Sequence, residues 1–346
     1  MNSELQIILK GVSRSFYLSI RLLPKRIRPP IELAFLFCKA ADTIADTEIV
    51  PVEERLKKLE EFCELFRGGR STPPQASSEP LLKQTVCLGP LDQVYLFAPT
   101  YKGEGSPEVK LLNFIPNLFL ELKNFPESDQ KTIFNLVSEL TQGMEWDLKK
   151  FPSNQLTSLQ DEVELNQYTY YVAGCVGRFW SRMIKNHYSF AKDWGETEEA
   201  CGESFGKGLQ MVNILRDLPR DLQKGRCYIP TDLLQKYNLT PKDLIQDPSS
   251  RLDWLALGLE RDKGREGLFK ELLEKTFSHL NQGKKYISFL PWYARRLRAT
   301  VQLPMILGFQ TLSALKNSMD RWLDPTEVIK VPRRKVYADL FAAFFT

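Results

Sequence analysis

"PPIELAFLFCKAADTIADT" (residues 29–47) spreads apolar side chains around nearly every face of a helix and then sets two aspartates, Asp42 and Asp46, four positions apart. Paired prolines suit a first helical turn, where a missing N–H has no partner to lose, and the next proline is Pro51. Residues 31–47 are therefore expected to run as one unbroken helix, apolar on too many sides to be peripheral. Residues i and i+4 share a helix face about 6 Å apart along the axis, so the two acids are neighbours. Carboxylates in apolar surroundings repel and lose hydration, at a cost of roughly several kcal/mol per ion unless compensated. A cation is expected beside them, and Lys39, three residues before Asp42, can supply one. Acids at this spacing are also common on solvated helices, so the pair alone does not separate a ligand site from a wet surface.

The same helical periodicity recurs along the chain, while alternating β-branched runs bounded by turns are few. An all-α protein follows, with further helices expected at about 107–122, 127–149, 165–185, 197–218, 254–282 and 292–317. Residues 67–80 have loop composition, and residues 87–107, rich in Gly and Pro, form a second irregular stretch. Neither is flanked by a change of composition, so residues 1–346 are read as one domain.

A second acid-bearing segment strengthens the first. Asn213, Asp217 and Asp221 follow one another at intervals of four, the first within the apolar run "FGKGLQMVNIL" and the other two after it. Two such helices facing each other would present oxygen ligands suited to Mg²⁺, which keeps several waters and binds through a few carboxylates and substrate phosphates. Arg216, Lys224 and Arg226 add charge-assisted donors for phosphate oxygens. Pro219 lies between the last two acids, where a proline kinks or ends a helix, so Asp221 is expected beyond the helix end.

The segment 165–184 carries Tyr168, Tyr170 and Tyr171, then Gly174 and Gly177. Each glycine within a helix is unfavourable by about 1 kcal/mol unless the space is used, either for close helix packing or for a bend beside a ligand. Phe16, Phe35, Tyr168 and Phe179 are core candidates whose rings could also face a carbocation.

Composition narrows the classes. Of 346 residues 43% are hydrophobic and 26% charged, and a net charge of +4 gives no pull toward nucleic acid. Basic clusters at Lys25, Arg26 and Arg28, at Arg295, Arg296 and Arg298, and at Arg333, Arg334 and Lys335 are solvated surface, or contacts for a phosphate-rich ligand or anionic membrane. Six scattered cysteines without a C-x-x-C pair fit a reducing cytoplasm. No secretory signal is read, and no apolar run reaches the roughly 20 residues that span a bilayer. Two histidines, His187 and His279, are too few for a His-based zinc site, and there is no P-loop, nucleophile elbow or dinucleotide fingerprint.

In order along the chain, "VSRSF", "DTIAD", "YTYYVAGCVG" and "QMVNILRDLPRDLQKGRCYIP" resemble the squalene and phytoene synthase family, over Ser13 to Pro230. The resemblance implies an isoprenoid synthase fold and a cavity between two aspartate-rich helices, where two prenyl diphosphates condense head to head. It assigns Asp42 and Asp46 to one Mg²⁺ site and Asn213, Asp217 and Asp221 to another. Ser13, Arg14 and Ser15 would meet diphosphate, Phe16 the prenyl chain, and Lys39, Gln210, Arg216, Arg226 and Tyr228 the substrate region. Tyr168 matches the tyrosine that helps remove the proton closing a cyclopropane intermediate. Lys39 stands where the family commonly has arginine, Phe35 where relatives often have tyrosine, and Ala45 where eukaryotic squalene synthases carry an acid.

The stretch "VAGCVGRFWSRM" is nearer to squalene synthases, which implies farnesyl diphosphate as substrate and NADPH as reductant. Lys330, Arg333 and Arg334 of "IKVPRRKVYADL" would hold the NADPH phosphate by a looser similarity. Phytoene or dehydrosqualene synthesis without reductant is the near alternative. A non-catalytic lipid-binding or assembly protein on the same fold is the distant one, disfavoured by the presence of both acid sites. A monomer is expected, cytoplasmic or peripheral on the cytoplasmic membrane face, with prenyl diphosphates and no nucleic acid as partners.

Overall fold

Helices dominate wherever the structure, a computed structural model, describes the chain: residues 3–13, 16–47, 50–67, 106–152, 155–245, 257–326 and 329. It divides into two compact units, Met1–Arg21 with Lys25–Leu148, and Leu22–Pro24 with Lys149–Thr346. Among the described residues the only sheet is a two-residue parallel ladder, so the all-α reading stands.

The first unit contains α1 (Ser3–Ser13), most of α2 (Phe16–Leu22), α3 (Arg28–Asp46), α4 (Val52–Arg67), α5 (Pro107–Asn113), α6 (Ile115–Leu122) and nearly all of α7 (Glu127–Lys150). Pro29 and Pro30 open α3 as their missing N–H groups dictate, and α1, α4, α5 and α6 pack around it. Phe37 is fully buried, with its ring 5.1 Å from Phe66 of α4 and 4.9 Å from Phe119 of α6. Gln6 of α1 donates to Glu32 of α3 at 2.9 Å, and burial pushes that carboxyl above the usual range. The single helix expected over 107–122 is broken at Phe114. Pro116 lacks the N–H that would continue the ladder and instead starts α6, while the Phe114 N–H bonds the Leu111 and Leu112 carbonyls.

The second unit is arranged around α10 (Glu196–Gln223). Before it come β1 (Thr157–Ser158), α8 (Glu162–Thr169), a π-helical turn (Tyr170–Gly174) and α9 (Cys175–His187). After it come β2 (Arg226–Cys227), α11 (Thr231–Lys236), α12 (Leu257–Phe289) and α13 (Arg295–Asn317). β1 and β2 pair with Thr157 opposite Arg226 and Ser158 opposite Cys227. The π turn and α9 both meet α10 on glycines: a Cβ on Gly177 would lie 2.0 Å from the Gly202 carbonyl oxygen, and one on Gly206 2.4 Å from that of Ala173 in the π turn. Close packing therefore accounts for Gly177.

The expectation that Asp221 lies past the helix end is corrected, because α10 continues through Pro219 to Gln223. Pro219 has no N–H to give the Leu215 carbonyl, and the indole Nε1 of Trp322 donates to that oxygen instead at 2.9 Å. Asn213, Asp217 and Asp221 thus share one helix and one face.

Candidate active site

In the first unit Asp42 and Asp46 sit in the last two turns of α3. The Lys39 ammonium bonds the Asp42 carboxylate, which is the cation the sequence called for. Asp42 is half-buried and Asp46 exposed. The end of the helix is secured from α4, where Arg55, 7% exposed, donates to the Ala45 carbonyl at 2.7 Å. Sequence reasoning missed Arg55 because "VEERLKK" reads as a solvated helix face. Burial, with the charge of Asp42 adding to it, pushes the Cys38 thiol up to about 12, so it stays a neutral part of the packing. Ser13 ends α1 with its hydroxyl buried and without a hydrogen-bond partner among the described residues. Phe16 opens α2; its side chain, like Arg14 and Ser15, lies outside the described residues.

In the second unit the structure brings together residues from four places in the chain. Tyr168, 6% exposed, stacks on Tyr228 just beyond β2, with ring centroids 4.5 Å apart and planes at 20°. Phe151 meets the Tyr228 ring edge-on at 4.9 Å. From α10 the Gln210 amide donates to the Tyr168 phenol oxygen over a long 3.4 Å, and the Asn213 amide donates to Gln210 Oε1 at 3.2 Å. One turn on, Arg216 forms a two-point pair with Asp217, Nε to Oδ1 at 3.0 Å and Nη2 to Oδ2. Asp221 follows on the same face, near enough to Cys227 to help burial push that thiol up to about 12. Arg226 stands in β2, half-buried, directly after Gly225, whose φ of +78° closes the turn from α10.

Tyr168 lies two residues before the π turn. Such turns are frequent at functional sites, and this one ends on Gly174. Behind it Lys207, 7% exposed, donates to Asn166 at 2.9 Å and Glu203 at 2.5 Å and lies 5.5 Å from the Tyr170 ring centre. Arg178 ties Glu203 to Glu196 and Glu199. Sequence reasoning missed this network because its members come from four segments, and no local spacing marks them.

Lys330, Arg333 and Arg334 lie outside the described residues, as do residues 68–105, which hold nearly all of the two irregular stretches. The described cysteines are free thiols. No helix among the described residues is long and apolar enough to cross a membrane. Among them, no group of three His, Cys, Asp or Glu side chains is gathered to hold a metal by itself. Within each unit the donors are instead carboxylate and amide oxygens at helical spacing, with one carboxylate of each set paired to a cation on its own helix. That donor set fits Mg²⁺, which takes one or two carboxylates and draws its remaining ligands from water and substrate phosphate.

A chain carrying these two acid-bearing helices can be set beside known proteins. It is 26% identical over 289 residues to the bifunctional lycopene cyclase/phytoene synthase of Colletotrichum graminicola, covering 82% of this chain and 41% of the relative. It is 23% identical over 313 residues to the squalene synthase of Schizosaccharomyces pombe, covering 90% of this chain and 59% of the relative. The chain thus spans about half the length of the curated relatives it matches. The solved structure of TcSQS with the ligand E5700 superposes with a TM-score of 0.70 at 19% identity, over 99% of this chain and 86% of that one, and shows the isoprenoid synthase fold. The squalene/phytoene synthase family model matches residues 9–335, taking in both acid motifs and the tyrosine segment between them, and the chain belongs to that family.

Proposed function

We propose that this chain condenses two farnesyl diphosphates head to head into presqualene diphosphate and converts that intermediate to squalene with NADPH. The observation that carries the reading is the Tyr168–Gln210–Asn213 hydrogen-bonded run ending beside the Arg216–Asp217 pair, which sets a buried phenol next to anion-binding and metal-competent groups.

Asp42 and Asp46, and Asn213, Asp217 and Asp221, would hold Mg²⁺, which when bound supplies positive charge to diphosphate oxygens. The chain's own cations act in the same sense: Lys39 and Arg216 lie within reach of any anion that approaches the acids they now neutralise. In the first reaction C1 of one substrate loses diphosphate and bonds to the double bond of the other. Loss of one proton then closes the cyclopropane. Tyr168 assists that proton's removal at its phenol oxygen, and the Gln210 amide N–H stabilises negative charge developing there. Tyr228 stacks on the phenol ring and keeps water from that face, and Phe151 braces Tyr228 edge-on. In the second reaction the cyclopropyl intermediate loses its diphosphate and rearranges, and NADPH when bound would supply the one hydride that the resulting cation needs.

A second reading is synthesis of phytoene or dehydrosqualene without reductant, favoured by the likeness to a fungal phytoene synthase. Incubation with Mg²⁺ and either farnesyl or geranylgeranyl diphosphate, with and without NADPH, separates the two. Squalene formed only with NADPH supports the first. Consumption of geranylgeranyl diphosphate with no squalene under any condition overturns it.

A further inference from the structure

We propose that the turn joining α12 to α13 is a docking tip for an anionic lipid bilayer. Two aromatic side chains stand out from it, Trp292 at 76% exposure and Tyr293 at 62%, their rings edge to face at 6.0 Å. Adjoining exposed apolar groups rimmed by charged residues have the make-up of a contact site for protein or membrane.

The tip is built to hold them outward. Leu290 before it and Leu297 after it are buried, and the Ala294 N–H closes the turn on the Pro291 carbonyl at 2.9 Å. Arg298 reaches back from α13 to donate to the Ile287 carbonyl in the last turn of α12 at 3.0 Å and to the Leu290 carbonyl just past its end at 2.9 Å. Little conformational freedom therefore remains to be lost on docking.

Charge agrees with the shape. Arg295 and Arg296, both exposed, open α13 directly behind the aromatics. Residues 275–319 contain seven Lys or Arg and no Asp or Glu, so a negative surface meets no opposing charge from this stretch. Indole and phenol rings each combine an apolar body with a polar atom, which suits the headgroup boundary, and arginines favour its phosphates.

A projecting pair of this kind fits lipid better than protein. Two rings bury roughly 150–250 Å² each. A specific protein interface needs about 1,200–2,000 Å² in total. A bilayer deforms around a narrow wedge and collects the rest of its attraction from charge. The proposal stands on surface chemistry alone and does not depend on which product the chain makes.

The test is co-sedimentation of the full chain with vesicles of phosphatidylcholine alone and of phosphatidylcholine with one-third phosphatidylglycerol, at low and high salt. The unmodified chain is expected to pellet with the anionic vesicles, and less so in salt. Trp292→Ser with Tyr293→Ser should weaken that binding by roughly tenfold or more. Arg295→Gln and Arg296→Gln should each weaken it roughly fivefold at low salt and little at high salt. These exposed positions should leave far-UV circular dichroism and turnover of detergent-dispersed substrate unchanged, which separates failure of docking from failure of the catalytic reading. Absence of anionic-vesicle binding, or undiminished binding by the aromatic double variant, overturns the proposal. So does a shift in the free chain's sedimentation coefficient on removing the aromatics, which would make the tip a contact between copies.

Discussion

The indole Nε1 of Trp322 donates to the carbonyl oxygen of Leu215 at 2.9 Å, the one carbonyl that Pro219, four residues later, can never bond. A side chain more than a hundred residues away in sequence thereby repairs the helix that carries Asp217 and Asp221. Trp322 is itself 3% exposed and packed on Phe269 with ring centres 4.4 Å apart, so the donor is held in place.

Trp322→Phe should keep most of that packing but leave the buried carbonyl without its donor, at a cost of about 1–3 kcal/mol in urea unfolding. Pro219→Ala restores the missing backbone N–H. In a double-mutant cycle the tryptophan substitution should cost measurably less in the Pro219→Ala background. Equal costs in both backgrounds would show that the indole acts only by filling space.

Gly177→Ala drives a methyl group to 2.0 Å from the Gly202 carbonyl oxygen, with backbone on both sides and nothing flexible to yield. α9 and α10 must separate, and a loss of about 3 kcal/mol is expected in denaturant titration. Gly195→Ala, where nothing lies within 4 Å, is the control and should cost about 1 kcal/mol or less.

Asp42→Asn and Asp217→Asn should each nearly abolish product formation while changing stability by about 1 kcal/mol or less, since both ion pairs are partly exposed. Steady-state kinetics alongside thermal melts would read the two quantities separately. Full activity in either variant would remove that residue from the proposed metal site.

Stability should fall below the ordinary histidine range because of His279. Burial first, and then the Lys207 ammonium, hold its pKa below the usual 6.5, against the opposing influence of Ser204 and Glu203. The unfolded chain therefore takes up a proton near pH 6.5 that the folded chain refuses, so this contribution is complete above that pH. It declines on acidification until the folded pKa is reached. His279→Asn, which can keep a bond to the Ser204 hydroxyl now 2.8 Å from Nδ1, should flatten that part of the melting temperature against pH curve.

What the sequence determined was local. Periodicity and the Pro29–Pro30 start specified α3 and its burial, and spacing alone placed Lys39 against Asp42, because residues three and four apart on a helix must be neighbours. The break at Phe114 was equally local and could have been read from Pro116. Tertiary structure decided the rest. Pro219 cannot complete the ladder, from which the sequence predicts a helix end; α10 instead continues, because Trp322 supplies the missing donor. The stacking of Tyr168 on Tyr228 and its bond from Gln210 join segments 60 and 42 residues apart in the chain. Helical spacing follows from backbone geometry within a few residues. Which distant donor reaches an orphaned carbonyl, or which ring covers a phenol, is settled only when the helices pack.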